Sequence, residues 1–127
     1  MNRHRLLVIA TMFGAASFGV QAQQALTLRG EIVEVSCYTK LGIDKSTGAA
    51  HVACAKECAS KGQPLAILTD GDGLVKITGD YAANNFAKLM PYIGRQVEVS
   101  GTADRYLDYS RAIKVAKLTP AARATAK

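Results

Sequence analysis

The chain has 127 residues, which is enough for one hydrophobic core and too few for two. Its formal net charge of +6 arises from 16 basic and 10 acidic residues that are interleaved along the sequence. Such interleaving indicates a solvated surface and argues against a basic stripe that binds nucleic acid.

The first 22 residues are predicted to be a cleavable secretory signal. Arg3 and Arg5 form a positively charged region, residues 6–20 are apolar and uncharged, and Val20-Gln21-Ala22 offers small residues to a signal peptidase. The alternative is an uncleaved membrane anchor, but the apolar run is short and interrupted by glycine. We therefore expect export to the periplasm or secretion.

Export would leave a single domain over residues 23–120 and a flexible tail over residues 121–127, with no membrane span. Without Arg3 and Arg5 the basic count falls from 16 to 14 against 10 acidic residues, so the net charge falls to about +4. An exported compartment is oxidising, and a disulfide is then the usual state of cysteine. The cysteine count of three is odd, so one thiol is left over or all three have another role.

The first part of the mature chain predicts a strand, a loop and a helix. Residues 25–36 alternate apolar and polar side chains around Gly30, which predicts a long strand that bends at the glycine. Residues 38–50 contain glycine, serine and threonine and predict a loop. Residues 51–60 are alanine-rich and are followed by Gly62, which predicts a short helix with a glycine stop.

Two short apolar segments follow, at residues 64–69 and 74–78. The sequence between them, Asp70-Gly71-Asp72-Gly73, consists of residues that favour tight turns. We therefore predict a β-hairpin over residues 64–78.

The last part predicts one helix and two strands. Asn84 or Asn85 can cap a helix that continues to about Tyr92, because four apolar residues recur there at helical spacing, namely Phe86, Leu89, Met90 and Ile93. Residues 95–103 and 111–118 alternate apolar and polar side chains and predict the fourth and fifth strands.

Three strands, a helix and two strands is the order of the oligonucleotide/oligosaccharide-binding (OB) fold, a five-stranded Greek-key barrel. The phrases Leu28-Arg29-Gly30-Glu31-Ile32-Val33 and Gly94-Arg95-Gln96-Val97-Glu98-Val99-Ser100-Gly101 resemble those of small exported bacterial OB-fold proteins. The resemblance covers most of residues 25–118 and implies an all-β, OB-fold-like barrel with short helices. An insertion between the first two strands departs from the compact family pattern, and the three cysteines lie in it or at its edge.

Three cysteines and one histidine form the most informative pattern. Cys37, Cys54 and Cys58 have the spacing Cys-x16-Cys-x3-Cys, and His51 is the only histidine after the predicted signal. Three sulfurs and one imidazole suit tetrahedral Zn²⁺, and soft thiolates also suit Cu(I). We therefore predict a non-enzymatic exported module whose partner is a metal ion, with zinc preferred because four ligands are typical of a closed structural site.

Helix geometry limits how these four residues can combine. Four residues of helix place the Cα atoms of Cys54 and Cys58 roughly 6 Å apart with parallel Cβ vectors. A disulfide needs Cβ atoms about 3.8 Å apart, so a helix excludes a Cys54–Cys58 bridge but not one from Cys37. His51 and Cys58 are separated by roughly 10 Å of helical rise, so His51 must sit at or before the first turn to share a metal.

Two alternatives remain open from the sequence. In the first, a disulfide from Cys37 to Cys54 or Cys58 staples the insertion, and the barrel binds a protein, a glycan or nucleic acid without metal. In the second, the thiols perform redox chemistry, although no Cys-x-x-Cys motif is present.

The connection between the last two strands supplies a second set of candidates. OB folds often hold ligands with this connection and with the one after the first strand. Aromatic and arginine side chains there could contact a base, a sugar or another exported protein, but we prefer a solvated turn because export removes the protein from most nucleic acid. The candidate residues in this connection are Arg105, Tyr106, Tyr109 and Arg111. Tyr38, after the first strand and beside Cys37, is a further candidate, which we expect to pack over the cysteine cluster.

Overall fold

A computed structural model describes residues 22–108 and 110–122. The predicted signal peptide therefore lies outside the described residues except for Ala22, and so do Tyr109 and residues 123–127 of the predicted tail. No helix of the described ranges is both long and apolar enough to span a bilayer.

Five strands form the framework of the described residues, and each corresponds to a predicted strand: β1 (Ala25–Glu34), β2 (Leu65–Thr69), β3 (Gly73–Thr78), β4 (Gln96–Arg105) and β5 (Arg111–Pro120). The hydrogen-bonded order is β1-β2-β3-β5-β4, and β1 also pairs with β4, so the sheet closes on itself. The β3–β5 pair is parallel and the other pairs are antiparallel. The prediction of a five-stranded, mostly β chain with short helices is confirmed at this level.

Gly30 marks the place where β1 exchanges one neighbour for another. Residues 25–31 of β1 pair with β4, whereas residues 31–34 pair with β2. A Cβ atom at Gly30 would lie 2.1 Å from the backbone oxygen of Leu68, so the close approach of the two strands requires glycine. The predicted strand extended to Ser36, but β1 ends at Glu34 because a helix begins at the next residue.

The interior of the closed sheet is filled by branched aliphatic side chains from all five strands. Fully burying one such side chain stabilises the fold by about 1.5–3 kcal/mol. The largest apolar side chains with no more than 1 % exposure are Ile32, Leu65, Ile67, Ile77, Leu89, Ile113, Val75, Val97 and Val99.

The segment between β1 and β2 is helical rather than a loop. It contains α1 (Val35–Leu41), α2 (Ile43–Ser46), a 3₁₀ turn (Ala49–His51) and α3 (Val52–Ser60). The prediction of a loop over residues 38–50 was wrong. The glycines of this segment lie between short helices and do not prevent the helices from forming. Gly42, at φ +75°, stands between α1 and α2. The predicted helix over residues 51–60 is confirmed as α3.

The segment between β3 and β4 is not the single predicted helix. It consists of a 3₁₀ turn (Gly79–Tyr81), a helical turn α4 (Ala83–Phe86) and a second 3₁₀ stretch (Ala87–Tyr92). Asn84, Asn85 and Phe86 have φ values of 52°, 52° and 60°, so the asparagines adopt left-handed conformations and do not cap a helix. The apolar positions nevertheless face the core as predicted: Phe86, Leu89 and Ile93 are buried, and Met90 packs against them.

Candidate metal centre

The fold brings the three cysteines together. Cys37 lies on α1 and Cys54 and Cys58 lie on α3, and their three Sγ atoms are all within 4.8 Å of one another. All three cysteines are free thiols in this structure. For a tetrahedral ion with metal–sulfur bonds of about 2.3 Å, the sulfurs would lie about 3.8 Å apart. Small side-chain rotations would therefore be enough to close the three sulfurs around one ion.

Helix α3 presents its two cysteines to α1 because the neighbouring stripe of the same helix is anchored in the core. Ala55 and Ala59 directly follow Cys54 and Cys58, and both alanines are buried in the main hydrophobic cluster. Residues four apart lie on one face of a helix, so the cysteines form a second stripe beside the alanines. The small alanine side chains allow α3 to lie close to the sheet.

Glu34 fixes the start of α1 and thereby the position of Cys37. The Glu34 side chain is fully buried, and its Oε2 accepts a hydrogen bond of 2.7 Å from the backbone N–H of Cys37. Its Oε1 accepts hydrogen bonds from the backbone N–H of Ser36 at 2.8 Å and from the Ser36 hydroxyl at 2.7 Å. The carboxylate thus satisfies two backbone donors at the helix start.

The charge of Glu34 and the protonation of the Cys37 thiol influence each other. Burial raises the pKa of Glu34, but the hydrogen bonds from Cys37 and Ser36 outweigh burial and leave that pKa below its usual value. Burial, the Glu34 carboxylate and the other two cysteines raise the pKa of the Cys37 thiol far above its ordinary value. A cation among the sulfurs would act in the opposite direction, because a metal binds the thiolate.

The three sulfurs differ in their access to solvent. Cys37 is buried, Cys58 is half-buried and Cys54 is exposed. The cluster therefore lies at the surface edge of the α1–α3 contact, and one side of it is open to small ligands.

His51 is placed where the helix geometry required it, but it does not join the cluster. It forms the last residue of the 3₁₀ turn directly before α3. The donor group found among the described residues consists of the three cysteines alone. The His51 Nε2 atom is buried and has no hydrogen-bond partner among the described residues. Its role as a fourth ligand stays a prediction.

A pocket of about 370 Å³ adjoins the cysteine cluster between α1 and α3. Cys37 and Cys58 form part of its wall, and Lys40, Leu41 and Lys61 form another part. Neither Glu34 nor this pocket was predicted from the sequence. Glu34 lies three residues before Cys37 in the sequence. Its carboxylate caps α1 because β1 ends at Glu34 and the helix begins at the next residue.

The other predicted ligand residues lie elsewhere. Arg105 and Arg111 face each other across the β4–β5 register and line a groove of about 630 Å³. Arg111 donates a hydrogen bond of 2.8 Å to Asp72 Oδ1. Tyr106 carries the Lys76 ammonium 4.5 Å above its ring centre. Tyr38 lines a different pocket from Cys37, beside Ile43 and Leu68 on the outer face of β2.

Lys76 also forms an ion pair with Asp108 near the β4–β5 turn. This Lys76 hydrogen bond, together with hydrogen bonds from Ser110, holds the pKa of Asp108 well below its usual range. Lys76, Tyr106 and Arg111 are thus engaged in contacts within the protein.

Comparison of the chain with protein-family models, with curated proteins and with solved structures finds no match.

Proposed function

We propose that this protein is an exported metal-binding module that holds a soft metal ion on the thiolates of Cys37, Cys54 and Cys58. The observation that carries the proposal is the mutual approach of three free sulfurs to within 4.8 Å, although Cys37 belongs to a different helix from the other two. Thiolates are the preferred ligands of Cu(I) and of structural Zn²⁺. The module has no catalytic role in this proposal.

The framework of the proposed module is an OB fold. The closed order β1-β2-β3-β5-β4 with one parallel pair, between β3 and β5, supports this assignment. The bent first strand and the phrases around Gly30 and Gly101 support it as well. The metal site would then be an addition in the connection after β1, with the barrel as its scaffold.

Cu(I) is the ion that a site of three sulfurs suits best, because it is soft and is satisfied by three thiolates. Structural zinc almost always takes four ligands, so zinc needs a fourth donor beside the cysteines. The buried, unpartnered Nε2 of His51 supports zinc as the second candidate. The two ions therefore differ in what they require from His51.

Metal titration of reduced protein tests the proposal. We expect one equivalent of Cu(I), measured against a chromophoric competitor, to bind to wild type, and Cys54→Ser to weaken binding by at least about 100-fold. Cys54 is exposed, so the serine variant keeps the fold. Lys56→Ala, also exposed on α3, is the matched control. Equal Cu(I) affinity of wild type and Cys54→Ser would refute the proposal.

The variant His51→Ala separates the two ions. For Cu(I) bound to three sulfurs we expect His51→Ala to change the affinity by less than about threefold. For zinc with an imidazole ligand we expect a loss of at least about tenfold. Mass spectrometry of protein purified without reductant provides a further check, because a loss of two hydrogens would favour the disulfide-stapled binding module instead.

A further inference from the structure

We propose that the metal site accepts an exogenous ligand, a small thiol that also carries a carboxylate, in the pocket between α1 and α3. This inference rests on the proposed function, because the thiol would bind through the metal. The pocket wall includes Cys37 and Cys58, so a ligand within it can reach the ion held by those sulfurs. Its volume of about 370 Å³ lies in the range of small-molecule sites.

The metal supplies the position for the sulfur of the ligand. Zn²⁺ takes four ligands and the protein sulfurs supply three, so a zinc ion held by them would have one position for the thiolate of the ligand in place of the His51 imidazole. The thiol of the ligand releases its proton to solvent, and the resulting thiolate forms one new metal–sulfur bond. No protein–metal bond breaks, and no atom changes its oxidation state.

The charges around the pocket select the second group of the ligand. Lys40, in the last turn of α1, and Lys61, directly after α3, lie on the pocket wall and favour an anion. Lys61 already binds the Glu57 carboxylate at 2.7 Å, but both side chains are about two-thirds exposed, so this pair is weak and can exchange. Glu34 is the acid on the wall, and its oxygens are engaged by Ser36 and Cys37.

The apolar part of the wall makes the site suitable for a carbon chain between the two groups. Leu41 lines the pocket and is 48 % exposed, so part of its side chain is in contact with water. A ligand whose chain covers Leu41 would remove apolar surface from water, which adds affinity. A thiol carboxylate therefore meets the metal with its sulfur, Leu41 with its chain and the lysines with its charge.

Native mass spectrometry of the zinc-loaded, reduced protein tests this inference with 3-mercaptopropionate as the probe. We expect a ternary complex of protein, one metal ion and one probe, with at least about tenfold tighter binding than 2-mercaptoethanol, which has the thiol and a neutral hydroxyl in place of the carboxylate. Propionate, which has the carboxylate alone, is expected not to bind detectably. Equal affinities for the two thiols, or no ternary complex at all, would overturn the inference.

Charge reversal tests the role of the lysines. The double variant Lys40→Glu/Lys61→Glu is expected to lose at least about tenfold in affinity for 3-mercaptopropionate and to keep its metal affinity within about threefold. Lys56→Glu, an exposed α3 position outside the pocket wall, is the control and should bind the probe like wild type. A double variant that binds the probe as tightly as Lys56→Glu would also overturn the inference.

The metal titration keeps the two proposals separable. If wild-type protein binds neither Cu(I) nor Zn²⁺, the proposed function fails and this inference fails with it, and if it binds Cu(I) but not Zn²⁺, only this inference fails. If the metal binds but the protein binds 3-mercaptopropionate no more tightly than 2-mercaptoethanol, the inference fails and the proposed function stands.

Discussion

The closed sheet and the insertion between β1 and β2 are stabilised in different ways. The sheet is filled by side chains such as Ile67 and Ile113 that have no exposure, whereas the apolar anchors of the insertion are small, notably Ala55 and Ala59. Two features other than a large apolar core organise the insertion. They are the Glu34 cap at the start of α1 and the cysteine cluster between α1 and α3. We therefore expect the sheet to persist when the metal site is lost, and the site to be lost when the sheet unfolds.

The largest expected effect is a core truncation in the sheet. Ile67→Ala should lower the free energy of unfolding by about 2–5 kcal/mol, because it removes a fully buried side chain and leaves a cavity. Urea denaturation measures this change. Leu107→Ala, at a residue that is 92 % exposed, is the control and should stay within about 0.5 kcal/mol of wild type. Equal losses for the two variants would contradict the described core.

An intermediate effect is expected where the two regions join. Glu34→Ala should lower the free energy of unfolding by about 1–3 kcal/mol, because the backbone N–H groups of Ser36 and Cys37 lose their buried acceptor. It should also weaken metal binding, since Cys37 is no longer held in place. Glu34→Gln keeps one acceptor oxygen and should lose less in both measurements. Wild-type metal affinity in Glu34→Ala would show that the cap does not position the cluster.

The smallest effect on the sheet is expected from metal removal. Hydrogen exchange of apo and metal-loaded protein should differ by at least about tenfold for amides of α1 and α3, because the ion links two helices that have little core of their own. Amides of β2 and β4 should change by less than about threefold. Uniform changes over both regions would mean that the insertion and the sheet unfold as one unit.

The strands and α3 could be predicted from local pattern, whereas α1 and α2 could not. Two such patterns are the alternation around Val97 and Val99 and the alanine-rich run over residues 51–60 with its stop at Gly62, which are readable in the chain because they involve neighbouring residues only. Helix α1 depends on Glu34, whose burial results from where β1 ends. The short turns near Asn84 and Asn85 depend on left-handed backbone conformations that helical spacing alone does not reveal.

By itself, the sequence determined the donor types, three sulfurs and one imidazole, and their spacing along the chain. It also determined that Cys54 and Cys58 share a helix face, since that is a local property of helical geometry. Only the tertiary structure decided that Cys37 joins them and that lysines rim the neighbouring pocket. The physical reason is that the approach of α1 to α3 depends on where β1 ends and on how α3 packs into the core, which no local pattern encodes.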